Sequence, residues 1–370
     1  MDSVNKFVDY RITTDETMVV KAFAIMAMLF HHLFFMRPEY GVVAFVFANA
    51  CKVCVALFVF LSGYGMAITF PQNNKNRVKT IFCFLCKRYV KFFLNYWFVF
   101  AITVPLGVFV FERSLVDAYG EHANIYLSLV GDLLGRQGDD SYNATWWFNG
   151  MIVILWFFFP FFYWMMKSNI VAPVALILFF VNPDDIMYPL HFLVFGLPSY
   201  ILPFSLGIFC ALRSDAISKI LNRYPPFFLL SFACVATVIL LYFRGVQAFV
   251  FFSKFRVDPF ATLFIILVVV GFCRLTNLKL HFLQYVGRHS MNMYLIHTFI
   301  YGYFFADFIY GFKYPVLIFS VLFLITLFVS ICIEFLKERI GFYRLQNKII
   351  GVFVKGLKQP QVPNGTSNCF

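Results

Sequence analysis

A small set of ionisable side chains stands inside long apolar runs: Lys21, His31, His32, Lys52, Arg88, Lys91, His191, His297 and Glu334. Each costs at least about 2.5–3.5 kcal/mol to place in hydrocarbon, so each is a candidate functional group. Lys21 and His32 form the most informative pair. They are 11 residues apart, about three helical turns, so on a helix they share one face with their side chains about 16 Å apart along the axis. One end of that face carries a cation and the other an imidazole able to exchange a proton near neutral pH. His31 is turned away by about 80° and reads as a packing or orienting partner. A second reading stays open on residue types alone, in which Lys21 snorkels as an anchor and the histidines mark an interface.

Such a face needs apolar helices to hold it, and the composition supplies them. The 370 residues are 61% apolar, 21% aromatic and 13% charged, with 54 phenylalanines and a mean hydropathy of +0.79; soluble domains carry about 25% charge. An ordinary globular fold, a disordered chain, a nucleic-acid module and a secreted disulfide scaffold are excluded together. A membrane span needs about 20 apolar residues, and such runs fall at 17–36, 43–70, 80–111, 146–166, 168–182, 189–212, 226–243, 259–273, 285–309 and 314–336. The expected fold is therefore an all-α, polytopic membrane protein of about ten transmembrane helices. The first 16 or so residues are polar and the first run continues into a full span, so no cleavable leader is expected.

Charge sets the orientation. The formal net charge is +12, and the clusters at Lys75–Lys91, at Arg213–Arg223 and after Lys337 fall on one side when the N-terminus is inside, as cytoplasmic loop cations do. Both termini are then cytoplasmic. Residues 1–340 form one membrane-embedded domain, 341–370 a short basic cytoplasmic tail, and 112–145 a long, acidic and polar outer loop.

Other residue groups have chemistry of their own. Lys87, Arg88 and Lys91 are helical neighbours and could grip an anion, although topology alone would also place cations there. Ser62-Gly63 lets a backbone approach closely while the serine offers a hydrogen bond. His297 reads equally as a satisfied core histidine or a catalytic one. Trp146-Trp147 reads first as an aromatic belt, and Asn143-Ala144-Thr145 has the form of a glycosylation acceptor. Cys51/Cys54 and Cys83/Cys86 have half-zinc-site spacing without turn-forming glycines; they read as small packing residues, and no metal is expected.

These residues together resemble a known family. Lys21, ten residues, then His32 is similar to the (Arg/Lys)-x10-His signature of the acyltransferase-3 family of integral membrane acyltransferases. Phe60-Leu61-Ser62-Gly63-Tyr64 resembles its F-x-SG-F/Y, Lys87-Arg88-Tyr89-Val90-Lys91 its R-x-x-R, and Trp147-Phe148 with Pro160 its W-F/Y…P. Gly287 to His297 resembles its G-x-x-S…YL-x-H and Ile333-Glu334 its closing I-E, in the same order over about residues 16–340. Lys21 and Lys91 stand where arginine is common, which removes a bidentate grip at those two places.

The resemblance implies transfer of an acyl group, commonly acetyl, from cytoplasmic acyl-CoA to a hydroxyl on a carbohydrate or glycolipid acceptor. His32 is then the general base, with His31 and His297 as further catalytic candidates. Lys21, Arg88, Lys91, Lys87 and Ser62 are the candidate donor-binding residues. Membrane lipid is the surrounding partner, nucleic acid is not one, and the location is the plasma membrane (the bacterial inner membrane). The competing class is a transporter or flippase for a lipid-linked sugar, or an exporter component, since buried charges and proline-broken helices also line substrate pathways.

Overall fold

The computed structural model describes residues 8–71, 77–135, 141–168, 174, 197–246, 257–276 and 278–354. It is 85% helical, with no strand among the described residues, and the protein is an all-α polytopic membrane protein. In chain order the helices are α1 (Thr14–Phe34), α2 (Val42–Ala50), α3 (Cys54–Thr69), α4 (Arg77–Phe109), α5 (Leu115–Tyr119), α6 (Ile125–Leu133), α7 (Trp147–Phe157) and α8 (Phe159–Lys167). After these come α9 (Leu197–Leu212), α10 (Ser214–Leu221), α11 (Pro226–Val246), α12 (Asp258–Thr276), α13 (His281–Thr298), α14 (Ala306–Tyr310), α15 (Pro315–Arg339) and α16 (Phe342–Val354).

The described residues hold six helices long and apolar enough to cross a membrane, or eight if the broken pairs Ala144–Phe157 with Phe159–Lys167 and Leu197–Leu212 with Ser214–Leu221 each count as one span. Two of the ten expected runs are not among them. Most of 168–182 lies outside the described residues, as does His191. The run at 285–309 does form helix, but His289, Ser290, Asn292, His297 and Thr298 make it polar and are all buried. Protein rather than lipid surrounds those groups, which is how polar side chains are accommodated at membrane depth.

The chain divides into two compact units. The first takes in Met1–Thr69, Phe161–Ser290 and Tyr314–Phe319. Its opening helix begins with a capping box, the Glu16 N–H donating to Thr13 Oγ1 at 3.2 Å while the Glu16 carboxylate accepts the Thr13 N–H at 2.8 Å, so two otherwise orphaned donors are paired. Arg274 of α12 closes on the same carboxylate at 2.8 Å. Helices α3 and α9 pack backbone to backbone. A Cβ at Gly63 would lie 2.2 Å from the Phe204 carbonyl oxygen, and one at Gly207 would lie 2.2 Å from that of Phe60. Only glycine fits at either position. At the other end of α11 and α12, Arg244 pairs with Asp258 at 2.8 Å.

The second unit takes in Phe70–Pro160, Met291–Lys313 and Ser320–Phe370. The segment expected as one outer loop, 112–145, holds α5 and α6. They are tied down by Asp132, which accepts from Tyr119 Oη at 2.9 Å, the Tyr142 N–H at 2.7 Å and Ser141 Oγ at 2.8 Å. Residues 342–354, expected within a basic tail, form α16 instead; their apolar positions recur at helical spacing. Helix α13 widens into a π-helical stretch over Phe299–Phe304, two residues after His297.

Candidate functional site

In the first unit α1 runs unbroken from Thr14 to Phe34, so Lys21 and His32 do lie along one stripe of one helix. Lys21 and His32 are half-buried and His31 is buried. The two imidazoles meet edge to face, ring centres 5.2 Å apart, and His31 packs on Phe35 at 4.6 Å. Nδ1 of His31 donates to the Ala48 carbonyl at 2.8 Å, which fixes the neutral ring's tautomer and leaves Nε2 as its basic nitrogen. Ser62 lies on α3 beside Gly63, and the close approach that glycine allows is to α9. Lys52, which sequence left without a role, lies in the 3₁₀ turn Cys51–Val53 between α2 and α3. Its charge acts electrostatically on both imidazoles, and that of Arg244 acts on His31.

The remaining sequence candidates, Lys87, Arg88, Lys91 and His297, belong to the second unit. The Arg88 guanidinium lies over the Trp156 ring at 5.0 Å, and its buried Nε has no hydrogen-bond partner among the described residues. Tyr89, next along α4, donates to the Val153 carbonyl at 3.0 Å, so α7 supports this turn of helix from two sides. Lys87 is half-buried and Lys91 exposed. A half-buried guanidinium stacked on an indole, its buried edge N–H unused, could accept an anion.

His297 has no exposed surface. Its Nδ1 donates to the Tyr294 carbonyl at 2.6 Å, and Thr298 Oγ1 bridges from 3.4 Å of its Nε2 to Thr145 Oγ1 at 2.8 Å. Trp146 is not an interfacial belt residue: it is buried against Tyr96, Phe100 and Phe299, and its indole N–H donates to the Leu295 carbonyl at 3.1 Å. Asn143 is also fully buried, its Oδ1 accepting from the Thr145 N–H at 3.0 Å and Thr145 Oγ1 at 2.7 Å. The folded chain therefore offers no glycosylation acceptor there.

Sequence reasoning singled out Glu334 but missed the cluster around it. Lys337, counted as a cytoplasmic cation, is buried, and its amine donates to Glu334 Oε1 at 2.8 Å, Asn95 Oδ1 at 3.0 Å and Asn292 Oδ1 at 3.1 Å. Asn292 Nδ2 and the Tyr343 hydroxyl also donate to the Glu334 carboxylate. The spacing Glu334-x-x-Lys337 was the signal available, since residues three apart share a helix face. Among the described residues no three His, Cys, Asp or Glu side chains are grouped to hold a metal, and Cys51, Cys54, Cys83 and Cys86 are free thiols.

A family model described as an acyltransferase domain matches residues 18–335. No curated protein and no solved structure matches the chain.

Proposed function

The chain belongs to the acyltransferase-3 family, and on that premise we propose that this membrane acyltransferase moves an acetyl group from cytoplasmic acetyl-CoA to a hydroxyl of a cell-surface or lipid-linked carbohydrate. The observation that carries this is α1, in which Lys21 and His32 share one stripe of an uninterrupted, largely buried helix. A sugar hydroxyl titrates well above neutrality, so its attack on a thioester needs a base held within about 3 Å, and a neutral imidazole suits that task. His32 takes that proton, while His31, fixed on the Ala48 carbonyl, packs against its ring and orients it. On α4 of the second unit Arg88, Lys91 and Lys87 meet the phosphates of the donor; Lys21 and Ser62 are the donor-binding candidates of the first unit. Arg88 has the best geometry for this, because stacking on Trp156 holds its fork in place and less rotamer freedom is lost when an anion binds. In this scheme ten spans leave both termini in the cytoplasm, in the plasma membrane of a bacterium, and no metal takes part.

The test is acyl transfer by purified protein in liposomes, with radiolabelled acetyl-CoA and a glycolipid and polysaccharide extract as acceptor. Wild type labels the extract and His32→Ala does not. Movement of sugar across the bilayer without any CoA-dependent labelling would replace this function with transport.

A further inference from the structure

Helix α16 has no part in the scheme above, yet it is firmly seated on the second unit. The chain leaves α15 through Gly341, whose φ of +73° is left-handed, and turns back so that Phe342 meets Phe98 of α4 edge to face, ring centres 5.3 Å apart. Gln346 is buried and donates to the Lys91 carbonyl at 3.4 Å, while the Tyr343 hydroxyl donates to Glu334. Another side of α16 is open. Leu345 and Val352 are 55% and 66% exposed; seven residues apart, they lie within about 20° of each other around the helix. The exposed Lys348 and Arg344 follow about 40° and about 80° beyond Val352. Neither α4 nor α16 contains an Asp or Glu, and α4 adds the exposed cations Arg77, Lys79 and Lys91. At 13 residues α16 is too short to cross a bilayer. It starts just after α15 ends at Arg339, and a span that closes on a cation closes at the membrane surface.

We propose that the open side of α16 is a binding surface for anionic lipid headgroups, with Leu345 and Val352 sunk into the headgroup boundary and Arg344 and Lys348 paired with lipid phosphates. In the orientation given under the proposed function, this surface belongs to the inner leaflet. Charge and apolar area together choose the occupant. An apolar stripe bordered by cations, on a helix without a carboxylate, matches a layer that is hydrocarbon beneath and negative above. A small soluble anion would use the two cations and leave Leu345 and Val352 in water, whereas the lipid boundary takes both kinds of side chain at once. Because Gln346 reaches the Lys91 carbonyl, lipid held on α16 also braces the turn of α4 that carries Lys91.

The experiment places the full chain in phosphatidylcholine nanodiscs with increasing phosphatidylglycerol and a trace of photoactivatable phosphatidylglycerol or phosphatidylcholine, and maps crosslinks to residues 342–354 by peptide mass. Wild type should crosslink phosphatidylglycerol there in preference to phosphatidylcholine. Arg344→Gln and Lys348→Gln should each raise the phosphatidylglycerol content needed for half-maximal labelling by about fivefold. Leu345→Gln with Val352→Gln should lower labelling by both lipids, and Arg344→Lys with Lys348→Arg, which keeps both charges, should leave it as in wild type. Equal labelling by the two lipids, or labelling by phosphatidylglycerol that ignores the loss of both cations, overturns the proposal. So does full displacement of phosphatidylglycerol by inorganic phosphate, which would mark a free-phosphate site, and so does a fall in CoA affinity with lipid labelling unchanged, which would put α16 at the donor site. None of these results touches the acyltransferase function, because neither Arg344 nor Lys348 is among its residues.

Discussion

Two adjacent imidazoles on α1 occupy unlike surroundings, and the proposed roles follow that difference. His31 is buried and held by the Ala48 carbonyl, whereas His32 keeps part of its surface. His32→Ala should lower the rate of acetyl transfer by about 10²–10⁴-fold, the usual worth of a positioned base, with little change in KM for acetyl-CoA. His31→Ala should cost about 10–100-fold, as removal of an orienting partner does; initial rates at saturating acetyl-CoA decide, and the reverse ranking exchanges the two roles. Asp132, outside the spans, controls a different property. Burial raises its pKa above the ordinary 3.8, against the pull of its hydrogen bonds from Tyr142, Ser141 and Tyr119. Because the folded value lies above the unfolded one, its stabilising contribution is complete below about pH 3.8 and is lost as pH rises through the raised value. Asp132→Asn keeps an acceptor for Tyr119 and Tyr142 and should flatten the pH dependence of the melting temperature over that window; an unchanged profile would remove Asp132 as its source. The Lys21 and His32 relation was legible because helical period alone creates it. Asp132 was not, since its meaning depends on Tyr142 folding back over α6.

Between elements, the sharpest constraint is the seat where α3 and α9 meet. Gly63 faces the Phe204 carbonyl and Gly207 faces the Phe60 carbonyl, each leaving only 2.2 Å for an added Cβ. These obstacles are backbone atoms, which cannot rotate aside, so the helices themselves must separate. Gly63→Ala and Gly207→Ala should each destabilise the detergent-solubilised protein by about 1–3 kcal/mol or more, measured as a fall in thermal midpoint. Both substitutions force open the same interface, so the double variant should lose less than the sum of the two; strict additivity would mean that each glycine acts on its own. A need for close approach could be read from Ser62-Gly63, but its partner could not, because it lies more than a hundred residues away on a helix that no local pattern links to α3. The same limit applied to the polar helix α13. Its motif residues were visible, while the network of Asn292 with Glu334, Lys337 and Asn95 joins three helices that no local pattern connects.

At the scale of the whole molecule, the membrane was legible from composition because a bilayer selects for bulk apolar content, and most expected runs became helices near their expected bounds. Counting spans was harder, since the run at 285–309 is a helix whose polar side chains are hidden by protein rather than excluded from it. The proposed sidedness rests on the cation clusters at Lys75–Lys91, at Arg213–Arg223 and after Lys337, which in that reading mark the side where acyl-CoA is available. The phosphates of acetyl-CoA keep it from crossing a sealed bilayer, because moving such charge through hydrocarbon is prohibitive. Inside-out vesicles given external acetyl-CoA should therefore acylate the extract when it is enclosed in their lumen, and right-side-out vesicles given the same donor should stay at background until they are permeabilised. In the productive orientation, raising the ionic strength should raise KM for acetyl-CoA, since cations at the mouth are partly exposed and screened, and Arg88→Met should raise KM further than it lowers kcat. Equal transfer by sealed vesicles of both orientations would mean that the donor does not enter from the side the cation clusters mark, and the inward-facing clamp of Arg88 and Lys91 would then have to be given up.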